Sequence, residues 1–358
     1  MEFKRENIEQ LNSEWPLPKN KKDIIIIGAG GIVHDAHLPA YKKAGFNVIG
    51  IFDPLNEKAK ALAKDYDIPQ VFNDINQALE AKDVVFDIAV PPNELSEVVN
   101  LIPENSICQF QKPMGTSLKE ALEIKKKCVE KKLIASVNFQ LKFSPMMLAV
   151  SDAIEKGMLG ELLELEVHLS THTPWELWPF LKDLERVEIP LHSIHYLDWI
   201  RSVLGSPIGV YSRSVKHKKV KDLSDSRSSI ILDYGDDIRC CLSINHNHYF
   251  GPKHSDAYIR LEGDKGAAFI YLGLLLNYPK GEPERVEIIT EGLDWIDVPI
   301  KGNWFPDAFI GTMSNLQRYV FGEDKVLLHS VESALGTMAI VEACMISNQS
   351  GVTKLPKF

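Results

Sequence analysis

Two kinds of residue in this chain are able to move a proton near neutral pH. Lys112 stands in Gln111-Lys112-Pro113, directly after the apolar run Ile107-Cys108-Gln109-Phe110. A lysine at a strand end can hydrogen-bond a substrate hydroxyl and lower its pKa as hydride leaves the carbon. The plainer reading is a solvated loop lysine. Its place beside a proline, at the edge where open α/β sheets bind ligands, favours the chemistry. His192 and His195 lie three apart at the start of a predicted helix and so share one side of it. A neutral imidazole accepts the proton of an alcohol under oxidation. Histidines so spaced also suit a metal or a satisfied core position, but no third convergent ligand is evident. His246, His248 and His254 read H-x-H-x5-H near Gly251-Pro252. No carboxylate is clearly placed with them and hydride transfer needs no metal, so no metal site is expected.

The elements that position these groups begin at Asp23-Ile24-Ile25-Ile26-Ile27-Gly28-Ala29-Gly30-Gly31-Ile32-Val33. Four isoleucines in a row predict a strand buried on both faces of a parallel sheet. Gly28, Gly30 and Gly31 then let the chain turn sharply into a helix and let backbone N–H groups approach a pyrophosphate. The third glycine of G-x-G-x-x-G is replaced by Val33. A second apolar run, Val48 to Phe52, ends in Asp53, whose carboxylate is placed for the hydroxyls of an adenosine ribose. Asp53 repels a 2′-phosphate, and Pro54-Leu55-Asn56 offers no cation to hold one, so the expected cofactor is NAD rather than NADP.

Strand-like and helix-like segments alternate from 23 to about 140: helix 56–66, strand 84–90 stopping at Pro91-Pro92-Asn93, strand 107–110, helix 117–132 and strand 133–137. After a helix at 145–157 come strands at 161–171, 208–215, 229–233, 238–245, 257–262 and 286–290, then helices at about 307–321 and 330–349. The expected fold class is α/β: an arm (1–22), a Rossmann domain (23–140) and an α/β substrate and oligomerisation domain (141–358) with a large open, mainly antiparallel sheet. The arm is expected to be loose, or to pack on a neighbour through Trp15 and Leu17. Thr171 to Phe180 is dense in aromatics, so Trp175 and Trp178 are either core or a wall on which a sugar ring or an aromatic aglycone stacks.

The chain of 358 residues is 45% hydrophobic and carries a formal charge of −9, ordinary for a globular protein and unfavourable for nucleic acid or an anionic membrane. Five cysteines without C-x-x-C spacing suggest reduced thiols in a cytoplasmic protein. A polar N-terminus and the lack of long apolar runs give no sign of a signal peptide or a membrane span.

Gly28-Ala29-Gly30-Gly31, His37-Leu38-Pro39-Ala40, Asp53, Pro91-Pro92-Asn93, Gln111-Lys112-Pro113, Val137-Asn138-Phe139-Gln140 and His195-Tyr196-Leu197-Asp198 occur in this order. Together they resemble the Gfo/Idh/MocA family of sugar and inositol oxidoreductases, from about residue 23 to 350. The resemblance implies a Rossmann domain, a second domain with an open sheet, tightly held NAD(P) and hydride transfer at a ring hydroxyl. It implies that Lys112 and His195 are catalytic, and that Gly28, Gly30, Gly31, Ile32, His37, Asp53, Pro91, Asn93, Gln111 and Lys112 surround the cofactor. Lys112, Trp175, Trp178, His192 and His195 are then the expected substrate residues.

Three positions depart from the family pattern. Gln111 replaces a glutamate, Lys142 stands where arginine is common, and Leu191 occupies the place of an aspartate that often pairs with the histidine. Either His195 works with Lys112 alone, or His192 takes part of the role. The expected substrate is a cyclic polyol, sugar or glycoside, with oxidation at C3 of a glycoside bearing a bulky aglycone as the narrower form. Two alternatives stay open: an internal redox cycle on bound NAD leading to elimination or glycoside cleavage, and a non-catalytic NAD-binding sensor. An open sheet with one bare face further implies a homo-dimer or tetramer.

Overall fold

The structure is a computed structural model that describes residues 3–278 and 280–351, so both extreme ends of the expected arm and second domain lie outside the described residues. The first sheet contains β1 (Asp23–Ile27), β2 (Val48–Phe52), β3 (Gln70–Val71), β4 (Val84–Ile88), β5 (Ile107–Phe110) and β6 (Ile134–Val137), in the order β3-β2-β1-β4-β5-β6. Its pairs are parallel. Ile24 to Ile27 are each at most 1% exposed, and burying each such side chain contributes roughly 2 kcal/mol. The order reverses between β1 and β4, which opens a crevice at their carboxyl ends.

The second sheet contains β7 (Leu162–Ser170), β8 (Gly209–Val215), β9 (Arg227–Asp233), β10 (Arg239–Asn245), β11 (Asp256–Gly263), β12 (Gly266–Tyr271), β13 (Arg285–Thr290) and β14 (Ile296–Asp297), in the order β14-β13-β12-β11-β7-β10-β9-β8. It is mainly antiparallel, as the alternating sequence pattern implies, but β7 and β10 pair in parallel. Two of its strands escape sequence reading. β12 begins in Gly-Ala-Ala, which carries little strand propensity, and is held between β11, across the turn at Gly263–Gly266, and β13. β14 is two residues long. Leu165, Val167, Leu232, Leu242, Ile259 and Leu261 face the core. The other face is bare, with Tyr258 stacked between His168 and Phe269 at 5.1 and 4.9 Å and Tyr211 and Ile231 66% and 53% exposed.

The N-terminal arm is not loose. It forms a short helix at Arg5–Glu9, buries Ile8 and Leu11, and sets Trp15 edge-on against Phe143 at 5.1 Å. The Arg318 guanidinium donates to the Leu17 carbonyl at 3.3 Å. The arm therefore packs on its own chain. The helix Val331–Gln349 packs on β8, and the helix Ile194–Leu204, which carries His195, packs on that helix.

Candidate active site

The glycine loop has the shape a dinucleotide needs. Gly28 has φ +109°, and a Cβ there would lie 2.3 Å from the Ala89 carbonyl oxygen at the end of β4. Only glycine lets β1 and β4 end this close together. A Cβ on Gly30 would meet nothing within 4 Å. The space above Gly30 is thus open, although the fold itself does not require glycine there. Gly31 is exposed and Ile32 half-buried at the start of the helix. One turn later, Val33–His37 is wound as a π-helix before the α-helix Leu38–Ala44. Asp53 follows β2 and accepts from the Ala29 N–H at 2.7 Å and the Leu55 N–H at 2.8 Å, so the glycine loop and the second strand are tied at the adenosine end. These residues fit a bound NAD.

His37 lies elsewhere. It is fully buried, its Nδ1 is 2.6 Å from Asp87 Oδ2, and its Nε2 is 3.4 Å from Asn138 Nδ2. Asn138 in turn donates to Gln111 Oε1 at 2.9 Å, and the Tyr41 hydroxyl donates to Asp87 at 2.7 Å. His37 belongs to a buried polar network under the strand ends rather than to the open crevice. Gln111, in place of glutamate, closes that network as acceptor.

Pro91 is half-buried and Asn93 exposed. Asn93 lines a cleft of about 280 Å³ with Pro113, Thr116, Ser117, Arg186 and Leu191, so the loops after β4 and β5 face the loop before the helix Ile194–Leu204. Lys112 stands beside Pro113 of this lining. Its Nζ donates to the Leu191 carbonyl at 2.6 Å, and burial pulls its pKa down to about 8. His195 is 6% exposed, and burial and then the nearby Lys112 charge hold it well below the usual imidazole range. His195 Nδ1 is buried with no hydrogen-bond partner. His192 is likewise pushed well down, by burial first and then by the charges of His246, His195 and Lys112. Lys112, His192 and His195 thus lie near one another, with burial favouring the neutral form of both imidazoles.

Among the described residues, no carboxylate pairs with His195 in place of an aspartate at Leu191. Asp198, one turn after His195, turns away to a buried ion pair with Lys142 at 2.8 Å and accepts from Thr337 Oγ1 at 2.8 Å. Both tryptophans of the aromatic loop are half-buried. Trp175 and Trp178 both pack on the small apolar cluster of Leu181, Val187 and Leu223, and Trp175 also stands edge-on to His246 at 5.0 Å.

The three histidines of H-x-H-x5-H do not converge. His248 Nε2 is 3.2 Å from the Lys253 carbonyl and His254 is exposed. His246 instead comes together with His192 and Glu188, ligand atoms of all three lying within 4.8 Å of one another. Sequence reading passed over Glu188. Its spacing of four from His192 was the available signal.

Comparison with known proteins bears on this arrangement. The GFO/IDH/MocA oxidoreductase family, NAD-binding Rossmann fold, matches residues 22–139, and the GFO/IDH/MocA C-terminal domain matches residues 147–269. The chain belongs to the GFO/IDH/MocA oxidoreductase family. Its Rossmann domain is the family's NAD-binding domain. D-apiose dehydrogenase from Paraburkholderia graminis is 21% identical over 92% of this chain and 88% of its own length. Glucose-6-phosphate 3-dehydrogenase from Bacillus subtilis is 25% identical over 42% of this chain, and the match spans 43% of that relative. An oxidoreductase from Agrobacterium radiobacter, solved with NAD+, L-tartaric acid and magnesium, superposes with TM-score 0.76 at 19% identity, over 92% of this chain and 96% of its own. Among the described residues, no helix is long and apolar enough to cross a membrane.

Proposed function

We propose that this GFO/IDH/MocA member is an NAD-dependent oxidoreductase that oxidises a ring CH–OH of a sugar, glycoside or cyclic polyol. The observation that carries the reading is the bond from Lys112, at the carboxyl edge of the nucleotide sheet, to the Leu191 carbonyl, four residues before His195. NAD, when bound, accepts the hydride. Gly28, Gly30, Gly31 and Asp53 would hold its adenosine and pyrophosphate end, and Asn93 and Lys112 face the reactive end. The Lys112 ammonium donates a hydrogen bond to the substrate hydroxyl oxygen and stabilises the negative charge that grows on it. His195, kept neutral by burial, takes the hydroxyl proton. With no carboxylate on His195 Nδ1, the lysine and the imidazole divide the work between them.

Trp175 forms the apolar wall of the sugar site, which favours a glycoside with an aromatic aglycone and oxidation at C3. The bare face of the second sheet, with its row of stacked aromatics, is the surface through which the chain pairs with a second copy. Five free cysteines fit a reducing, cytoplasmic setting.

The test follows absorbance at 340 nm with NAD and a panel of inositols, free sugars and aryl glycosides, with Lys112→Met in parallel. The expected result is a lysine-dependent rise with one substrate class. Wild-type protein that binds NAD but gives no rise with any member of the panel would overturn the reading. Mass analysis of the products would then separate an internal redox cycle from a sensor.

A further inference from the structure

Glu188 is fully buried, and so is His246, while His192 is half-buried beside them. Each carries an atom without a partner: Glu188 Oε2, His192 Nδ1 and His246 Nε2. Buried polar atoms are almost always paired, and an unpaired carboxylate oxygen is among the costliest to bury. Here three such residues face one another. His246 Nε2 is 3.6 Å from Glu188 Oε1, too far for a hydrogen bond, and the two imidazole rings stand 4.1 Å apart, centroid to centroid.

The surroundings hold these groups in place. Ser193 Oγ donates to Glu188 Oε1 at 2.6 Å, and the Glu188 N–H donates to Asp225 at 2.7 Å. His246 Nδ1 is 2.7 Å from Thr173 Oγ1. In the tautomer in which Nδ1–H donates to that hydroxyl, Nε2 presents its lone pair to Glu188 and His192. A metal-ligating histidine is ordinarily held in this way by its second nitrogen. Glu188 and His192 sit one turn apart on the segment that leads into the helix of His195, and His246 follows β10.

We infer that Glu188, His192 and His246 form a binding site for a divalent transition-metal ion of the zinc or manganese class. Two imidazoles and one carboxylate are the ligand set such ions take, and they suit these ions better than calcium or magnesium. Ligands held about 2.1 Å from an ion lie ~3–3.5 Å from each other, so three atoms within 4.8 Å close on it with small side-chain movements. Three protein ligands leave at least one coordination position open. On the dehydrogenase reading above, that position takes a second oxygen of the carbohydrate, adjacent to the hydroxyl held by Lys112. The ion then selects substrates with neighbouring oxygens and orients the ring.

The experiment uses the untagged full chain, incubated with zinc or manganese chloride alone and desalted, with metal content read by plasma mass spectrometry. Wild type is expected to retain one ion per chain, and chelator to lower its melting temperature. Glu188→Gln and His246→Gln are expected to weaken binding by at least about 100-fold, while His248→Gln binds as wild type does. Retained NAD binding shows that each variant is folded. If wild type retains no ion, or if the Glu188 and His246 variants retain as much as wild type, the site does not exist. Activity is scored separately. Metal binding without carbohydrate oxidation overturns the dehydrogenase reading and leaves the site standing; oxidation by protein that takes up no ion does the reverse.

Discussion

Lys112 Nζ donates to the backbone carbonyl of Leu191 at 2.6 Å, so the residue that stands in place of an aspartate holds the proposed catalytic lysine through its main chain. This bond joins the edge of the nucleotide sheet to the segment that carries His192 and His195. It places an ammonium where burial makes it costly, and that cost has consequences for both activity and stability.

The oxidation rate is expected to stay level between the ordinary imidazole value of 6.5 and about pH 8, because His195 stays neutral throughout and Lys112 stays charged. Above about 8 the ammonium is lost and the rate falls. A pH profile of kcat/KM checks this. A rate that climbs through pH 8 would assign Lys112 as the base instead.

Stability moves the other way. The folded pKa of Lys112, about 8, lies below the ordinary 10.5 of an unfolded chain, so the unfolded state binds the extra proton between these values and stability rises with pH across that window. Below about 8 the fold carries the full cost of the buried charge. Lys112→Met is therefore expected to stabilise the protein by roughly 1–2 kcal/mol at pH 7 while lowering turnover about 10²–10⁴-fold, a trade read by denaturant melts beside initial rates.

Gly28→Ala and Gly30→Ala separate fold from cofactor. At Gly28 a Cβ runs into the Ala89 carbonyl, so the variant should lose stability as well as NAD binding. At Gly30 a Cβ meets no protein atom. That variant should melt within about 0.5 kcal/mol of wild type and yet bind NAD at least ~10-fold more weakly. Unchanged affinity in Gly30→Ala would remove the dinucleotide from this loop.

Asp198→Asn leaves the Lys142 ammonium buried without its partner, and should destabilise by about 3–5 kcal/mol in urea titrations. The double variant Lys142→Met with Asp198→Leu should lose less than the sum of the two single changes. A fully additive result would show that the pair is not coupled.

Trp175→Ala is expected to raise KM for aryl glycosides roughly tenfold, with kcat little changed, because it removes a stacking face and no proton-transfer group. Both Trp175→Ala and Trp178→Ala should lower stability, since both side chains pack on Leu181, Val187 and Leu223, but only Trp175→Ala should also raise KM. If Trp178→Ala alone raised KM, the sugar wall would be misassigned.

Much of this protein was legible in sequence because its determinants are local. The isoleucine run, the glycines after it and Asp53 at a strand end each state a backbone geometry within a few residues, and that was enough for the Rossmann half and its cofactor. Lys112 and His195 could be named because each lies beside a proline or within a helix register that is itself local. What the tertiary structure decided are contacts between residues far apart in the chain. β12 is held between β11 and β13, in a strand its own first residues do not favour. The N-terminal arm packs on its own second domain, which its short polar sequence does not announce. His37 faces Asp87 inside the core instead of the crevice. Glu188, His192 and His246 become neighbours only when the end of β10 is laid beside the helix of His195. Spacing along a chain describes a face of one element; which faces meet is set by the packing of the whole core.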